Sequence, residues 1–280
     1  MRYSIKKTFE DCMKKEVRSC VELTDGFSNE NFLINDAYVL RLPLPNGDAT
    51  ISRTNEKMVY EKIANYNISE KLCYFDIKTG IKFTKFVHNP IIYKTTPTNE
   101  QILLVAKSLK KLHRAKVIVP FEYDALKRLK TYKKLVLKDL YVDDEYEKKV
   151  IDEFNKFYLL EDVTLCHNDL VQGNLLFKFN GLTIIDWEYS SMNSFYFDLA
   201  SFISENNLSD TQKEFFLSKY FGCKYSGRKK KIVDAFIRFQ DILFYYWALY
   251  LYKKRGKPIY NTIAQIKLDR INKAINSIKN

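Results

Sequence analysis

The chain has 280 residues, 46% hydrophobic and 29% charged, an ordinary balance for one large folded domain or two lobes. Its most apolar run, Leu243 to Tyr252, is about ten residues against the roughly 20 of a membrane-spanning helix, and the amphipathic N-terminus carries no secretion signal, so a cytoplasmic protein is expected. Five scattered cysteines and three scattered histidines argue against a disulfide framework or structural zinc, and the formal charge of +12, spread along a lysine-rich chain, reflects composition rather than a nucleic-acid partner.

Residues 5–17 have the spacing of a short amphipathic helix. Val21 to Leu23, Asn31 to Ile34 and Tyr38 to Leu42 predict three short strands, parted by the turn at 24–29 and by Asn35-Asp36. A Pro-rich loop leads to a helix over 52–65, and Leu72 to Ile77 with Ile81 to Val87 predict a hairpin around Lys78-Thr79-Gly80. At His88-Asn89-Pro90 the character changes. Helices are expected at 99–115, 122–137 and 143–157, then a strand–loop–strand unit at 163–187, then helices near 196–206, 211–220, 229–253 and 259–278. The expectation is an α+β, bilobal protein-kinase-like fold. A small antiparallel-sheet lobe (1–88) would hold nucleotide, and a larger, mostly helical lobe (89–280) would hold catalytic and acceptor groups.

The strand–loop–strand unit carries the chemistry. His167-Asn168-Asp169-Leu170-Val171-Gln172-Gly173-Asn174 places an Asp and an Asn five positions apart, and Ile184-Ile185-Asp186-Trp187-Glu188 follows. Phosphoryl transfer from ATP needs such a set: one carboxylate to orient a hydroxyl and take its proton, and an amide oxygen with a second carboxylate to hold magnesium. Asp169 is therefore the candidate base, and Asn174 and Asp186 the candidate magnesium ligands. Glu188 lies one strand repeat beyond Asp186 and is assigned to a metal or a cationic substrate, the alternative being a solvent-facing acid. His167 reads as a structural imidazole that holds the loop backbone. Asp198 reads as a buried loop-orienting acid or a helix N-terminal acid. In the small lobe, Arg41 on a strand and Glu56 on the next helix match the cation–carboxylate pair that clamps α- and β-phosphates. Ser28, Asn29 and Asn31, beside Gly26 in the first hairpin, are candidates for covering the phosphates.

Taken together, H-N-D-x-x-x-G-N, I-D-W-E-Y and F-D-L-A resemble the choline/ethanolamine kinase family, within the aminoglycoside-phosphotransferase-like branch of the protein-kinase-like fold. G-F-S-N-E-N-F at 26–32 is similar to that family's phosphate loop, and Y-V-L-R-L-P at 38–43 to its strand, where Arg replaces the protein-kinase Lys. The resemblance runs from about residue 20 to about 255. It implies ATP and magnesium as cofactors, a small amino alcohol as substrate, and phosphocholine as product. It also implies an aromatic pair in a late helix that packs around the quaternary ammonium, here Trp247 and Tyr250, with Tyr in place of a second Trp. A trimethylammonium head has no hydrogen to donate, so aromatic faces suit it, each contributing about 0.5–2 kcal/mol; core packing is the competing role for these rings. Ethanolamine, thiamine or an aminoglycoside are the alternative acceptors. Against a polycationic aminoglycoside, the segment from 209 onward has 16 Lys plus Arg and 5 Asp plus Glu. A catalytically silent binding scaffold is disfavoured by the presence of Asp169, Asn174 and Asp186 together.

Overall fold

The computed structural model describes residues 5–23, 29–45, 48–93 and 95–279. After helix α1 (Ile5–Met13) come strands β1 (Cys20–Leu23), β2 (Asn29–Ile34) and β3 (Tyr38–Pro43), helix α2 (Arg53–Ile63), and strands β4 (Leu72–Phe75) and β5 (Lys82–Lys85). The strands form one antiparallel sheet in the order β1-β2-β3-β5-β4. At the β2–β3 turn Asn35 and Asp36 are both left-handed, with φ of 53° and 49°, a backbone state that Asn and Asp tolerate best after Gly. Alternation along β3 then sorts its side chains. Tyr38 and Leu40 join Phe9, Ile34 and Phe83 in a small core under α1, while Arg41 turns to the opposite face, toward α2.

Ser52 caps α2, its side chain accepting from the Asn55 backbone N–H, and this sets Glu56 in the first turn. Val59, Tyr60 and Ile63 of α2 pack into the core of the larger lobe, so the helix belongs to both lobes. The Ile184 N–H donates to Ile68 O at 2.8 Å and the Asn55 amide to Ser190 O at 2.5 Å, which ties the lobes at the cleft.

The larger lobe begins with α3 (Asn99–His113), α4 (Ala125–Lys133) and α5 (Asp144–Phe157). Four short strands follow: β6 (Val163–Cys166), β7 (Leu175–Lys178), β8 (Gly181–Ile184) and β9 (Ser191–Ser194). Helices α6 (Phe195–Glu205), α7 (Asp210–Phe221), α8 (Gly227–Arg255) and α9 (Pro258–Lys279) complete the chain. Helix α8 stops at Gly256, whose φ of 66° gives a left-handed C-cap. No described helix is long and apolar enough to cross a membrane.

The structure corrects the sequence reading at β9. Ser191-Met192-Asn193-Ser194 has none of the β-branched or aromatic residues that mark strands, and it was not expected to be one. It is a strand because it pairs with β6, while β7 pairs with β8. The segment 163–194 therefore forms two separate ribbons.

Candidate active site

The loop between β6 and β7 is anchored from behind. Asp198, the fourth residue of α6, is fully buried. Its carboxylate accepts from the backbone N–H groups of His167 and Asn168 at 2.8 and 2.7 Å, and a third bond joins it to His113 Nε2 at 3.0 Å. Asn168 is left-handed with φ 68°; its amide donates to Tyr189 O and its side-chain oxygen accepts from Asn193. Burial pushes the His167 imidazole down toward its neutral form. A neutral ring suits its partners: Nε2 donates to Ile185 O at 3.0 Å and Nδ1 accepts from the Asp169 N–H.

This scaffold sets Asp169 beside Asn174. Asn174 donates to both its backbone and its carboxylate oxygen Oδ2, each at 2.9 Å. Burial and then the Asp186 charge raise the Asp169 pKa to about 7, although Asn174 works the other way. Asp186 sits at the end of β8 in a left-handed conformation, φ 64°, which turns its carboxylate out of the strand. Asp169, Asn174 and Asp186 are thus brought to one place.

From the small lobe, Arg41 reaches the same point and is only 7% exposed. Its Nη2 lies 2.6 Å from Glu56 Oε2, and its Nη1 3.2 Å from both Asp186 Oδ1 and Glu188 Oε2. Glu56 has no exposure. Burial opposes its charge, but Arg41 and Lys82 prevail and hold its pKa down to about 2. Glu188 is buried, so it is not a solvent-facing acid; burial and then Asp186 raise its pKa, against the pull of Arg41. Asn29 donates to Glu188 at 3.4 Å, and Asn31 stands opposite Arg41 in the β2–β3 register. Ser28 and Gly26 lie outside the described residues. Arg41 and Lys82 face Glu56, Asp186 and Glu188, with Asp169 beyond. The crowded acids and the Asn174 amide form a hard-oxygen set with surplus negative charge, which fits a divalent cation such as magnesium. The Arg41 Nε is buried with no hydrogen-bond partner among the described residues.

A cleft of about 570 Å³ opens beside these groups, lined by Arg41, Glu56, Glu188, Tyr189 and, from α8, Leu251 and Arg255. Trp247 is half-buried, edge-on to Phe244 and Tyr260. Tyr250 is buried with its ring centre 5.2 Å from that of Tyr132, and the Lys254 ammonium lies 4.6 Å from the Tyr250 ring centre.

The sequence reading missed His113 and Lys82. His113 continues the apolar face of α3 four residues after Leu109, and that position was the one available signal for burial. Lys82 had no signal: between Ile81 and Phe83 it looked like the outward residue of a half-buried strand.

Sheet lobe, helical lobe and cleft together define a bilobal kinase-like phosphotransferase. The profile of the family described as choline/ethanolamine kinase matches residues 21–249, and the chain belongs to that family. It is a phosphotransferase with an alcohol acceptor, acting on choline-like substrates. Protein LicA of Haemophilus influenzae is 28% identical over 241 residues, covering 79% of this chain and 70% of that protein. The crystal structure of the choline kinase LicA from Streptococcus pneumoniae superposes with a TM-score of 0.81 at 24% identity, covering 96% of this chain and 98% of that one. A structure of LicA in complex with AMP gives a TM-score of 0.78 at 24% identity, covering 96% and 97%.

Proposed function

We propose that this protein is a cytoplasmic enzyme that transfers the γ-phosphate of ATP to the hydroxyl of choline, giving ADP and phosphocholine. The observation that carries the reading is the junction at Arg41: one guanidinium joins the small-lobe Glu56 to Asp186 and Glu188 beside the Asp169 loop. Binding of AMP by a protein of the same fold supports a nucleotide in this cleft. Residues 1–88 would hold the nucleotide through Arg41 and Glu56, with Ser28, Asn29 and Asn31 over the phosphates. Residues 89–280 would supply the catalytic and acceptor groups.

Asn174 and Asp186 would hold magnesium, which when bound neutralises phosphate charge. The Asn174 amide nitrogen is engaged by Asp169, which leaves its oxygen as the metal-facing atom. The acceptor oxygen attacks the γ-phosphorus, the bond from phosphorus to the β,γ-bridging oxygen breaks, and ADP departs. Asp169 orients the hydroxyl and takes its proton late in a loose transition state, so position matters more than basicity. The acceptor's quaternary ammonium would meet Trp247 and Tyr250, with Glu188 or Asp169 nearby to balance its charge. That Tyr250 already faces the Lys254 ammonium supports a cation-accepting surface there.

The test is ADP release with magnesium and ATP, using choline, ethanolamine, thiamine and kanamycin at matched concentrations. Turnover with choline above the others is expected. Turnover confined to another acceptor would keep the phosphotransfer groups and discard the aromatic ammonium site.

A further inference from the structure

Lys82 stands directly opposite Arg41 in the β3–β5 register, so both side chains leave the same face of the sheet. It is 4% exposed. Its ammonium lies 2.8 Å from Glu56 Oε1 and 3.0 Å from the Tyr60 hydroxyl, over whose ring it also sits at 4.7 Å. Tyr60 in turn donates to Glu70 at 2.5 Å, and the second Glu70 oxygen is buried with no partner among the described residues. Glu56 is therefore bridged from both sides: Arg41 holds one oxygen and Lys82 the other.

We propose that Lys82 is a positioning residue of the nucleotide clamp, neutralising Glu56 so that less of the Arg41 charge is spent on that carboxylate and more is left for the cleft side, where Asp186, Glu188 and the triphosphate would share it. An Arg–Glu pair alone sums to zero, and a dipole attracts phosphate far less than a charge does. With Lys82 behind Glu56 the trio carries one net positive charge, and Arg41 presents it to Asp186 and Glu188 on the cleft side, where a bound cation would offset those acids. Enclosed by Glu56 and Tyr60, Lys82 acts through them. Tyr60, itself held by Glu70, fixes its ammonium from the far side, and Glu70, Arg41, Glu56, Glu188 and Asp186 are the other ionisable groups of this neighbourhood.

This inference rests on the nucleotide reading above but not on the acceptor, so its test omits the acceptor. Calorimetric binding of magnesium with a non-hydrolysable ATP analogue is measured for wild type, Lys82→Met, Lys82→Arg and the double variant Lys82→Met/Glu56→Gln. Melting temperatures are recorded alongside, and steady-state constants with ATP and the best acceptor. Lys82→Met should weaken nucleotide binding roughly ten- to a hundredfold, the scale of one charge-assisted hydrogen bond to a buried carboxylate. Its acceptor KM should stay within about twofold of wild type. Lys82→Arg should retain most of the affinity. The double variant should recover part of it, since the charge that Lys82 neutralises is gone. Normal nucleotide binding in a folded but less stable Lys82→Met would overturn the proposal and leave a purely structural lysine. Should Lys82→Met not fold, the double variant decides: recovered binding supports the proposal, and folded protein with a hundredfold loss overturns it. A wild type that binds the analogue but phosphorylates none of the four acceptors would break the choline reading and leave this test intact.

Discussion

The two halves of the site are held by different forces. On the large-lobe side, the backbone N–H groups of His167, Asn168 and Asp169 donate to Asp198 and to the His167 ring, and Asn193 holds the Asn168 side chain, in a largely buried shell. On the small-lobe side, Arg41, Glu56, Lys82 and Glu188 are held by charge. A hydrogen-bonded net to backbone keeps its shape whether or not a ligand is present. A cluster of buried charges depends on its sum, and breaking one pair leaves an uncompensated ion. The loop is accordingly the preformed half, and the clamp is the half whose balance a triphosphate and a divalent cation would complete.

Four experiments press on that contrast. Asp169→Ala should give the largest effect, a loss of turnover on the order of a thousandfold or more with melting temperature nearly unchanged, because the loop is held by other groups. Undiminished turnover would remove Asp169 from the chemistry. Asp198→Ala should harm both stability and kcat. It strips acceptors from two buried N–H groups and from His113, costing about 2–5 kcal/mol in a denaturant titration. A variant as stable as wild type would mean the loop has some other anchor.

The clamp should reveal itself through pH. Glu56 has an ordinary pKa of 4.5 and is held down to about 2 in the fold. A depressed carboxyl contributes stability above its unfolded pKa and loses it as pH falls through the folded one. The stability gap between wild type and Glu56→Gln should therefore shrink by up to about 3 kcal/mol between pH 4.5 and 2. Raised carboxyls such as Asp169 titrate mainly above that window, and the comparison between variants largely cancels them. A gap that stays constant across the window would show that Glu56 is not held by charge. The smallest effect belongs to the aromatic pair. Trp247→Ala should raise the choline KM by roughly two- to thirtyfold, more than it lowers kcat, as one cation–π face implies. An unchanged KM would leave Trp247 as packing for Phe244 and Tyr260.

Much of the grouping of the candidate site was legible because phosphoryl transfer calls for particular residue types at particular spacings. Asp169, Asn174 and Asp186 lie within one short span of chain, so their meeting needs only a loop and a hairpin. Arg41 and Glu56 were legible for the same local reason, a strand followed by a capped helix. Glu188 was half legible: its position beyond Asp186 was visible, but its burial against Arg41 was not.

What the sequence by itself determined was the family, the order of sheet and helices, and the spacing that groups the candidate site residues. Each of these depends on local spacing and side-chain chemistry. Only the tertiary structure decided the strand status of Ser191–Ser194, the share of His113 in anchoring the loop, and the second cation on Glu56, and it settled Asp198 as the loop-orienting acid that was one of its two sequence readings. These depend on partners dozens of residues away: β9 on β6, His113 on α6, Lys82 on α2. A polar strand, a helix-end histidine and a strand lysine look like surface residues in one dimension. Burial gives them their meaning, and burial is a property of the packed chain.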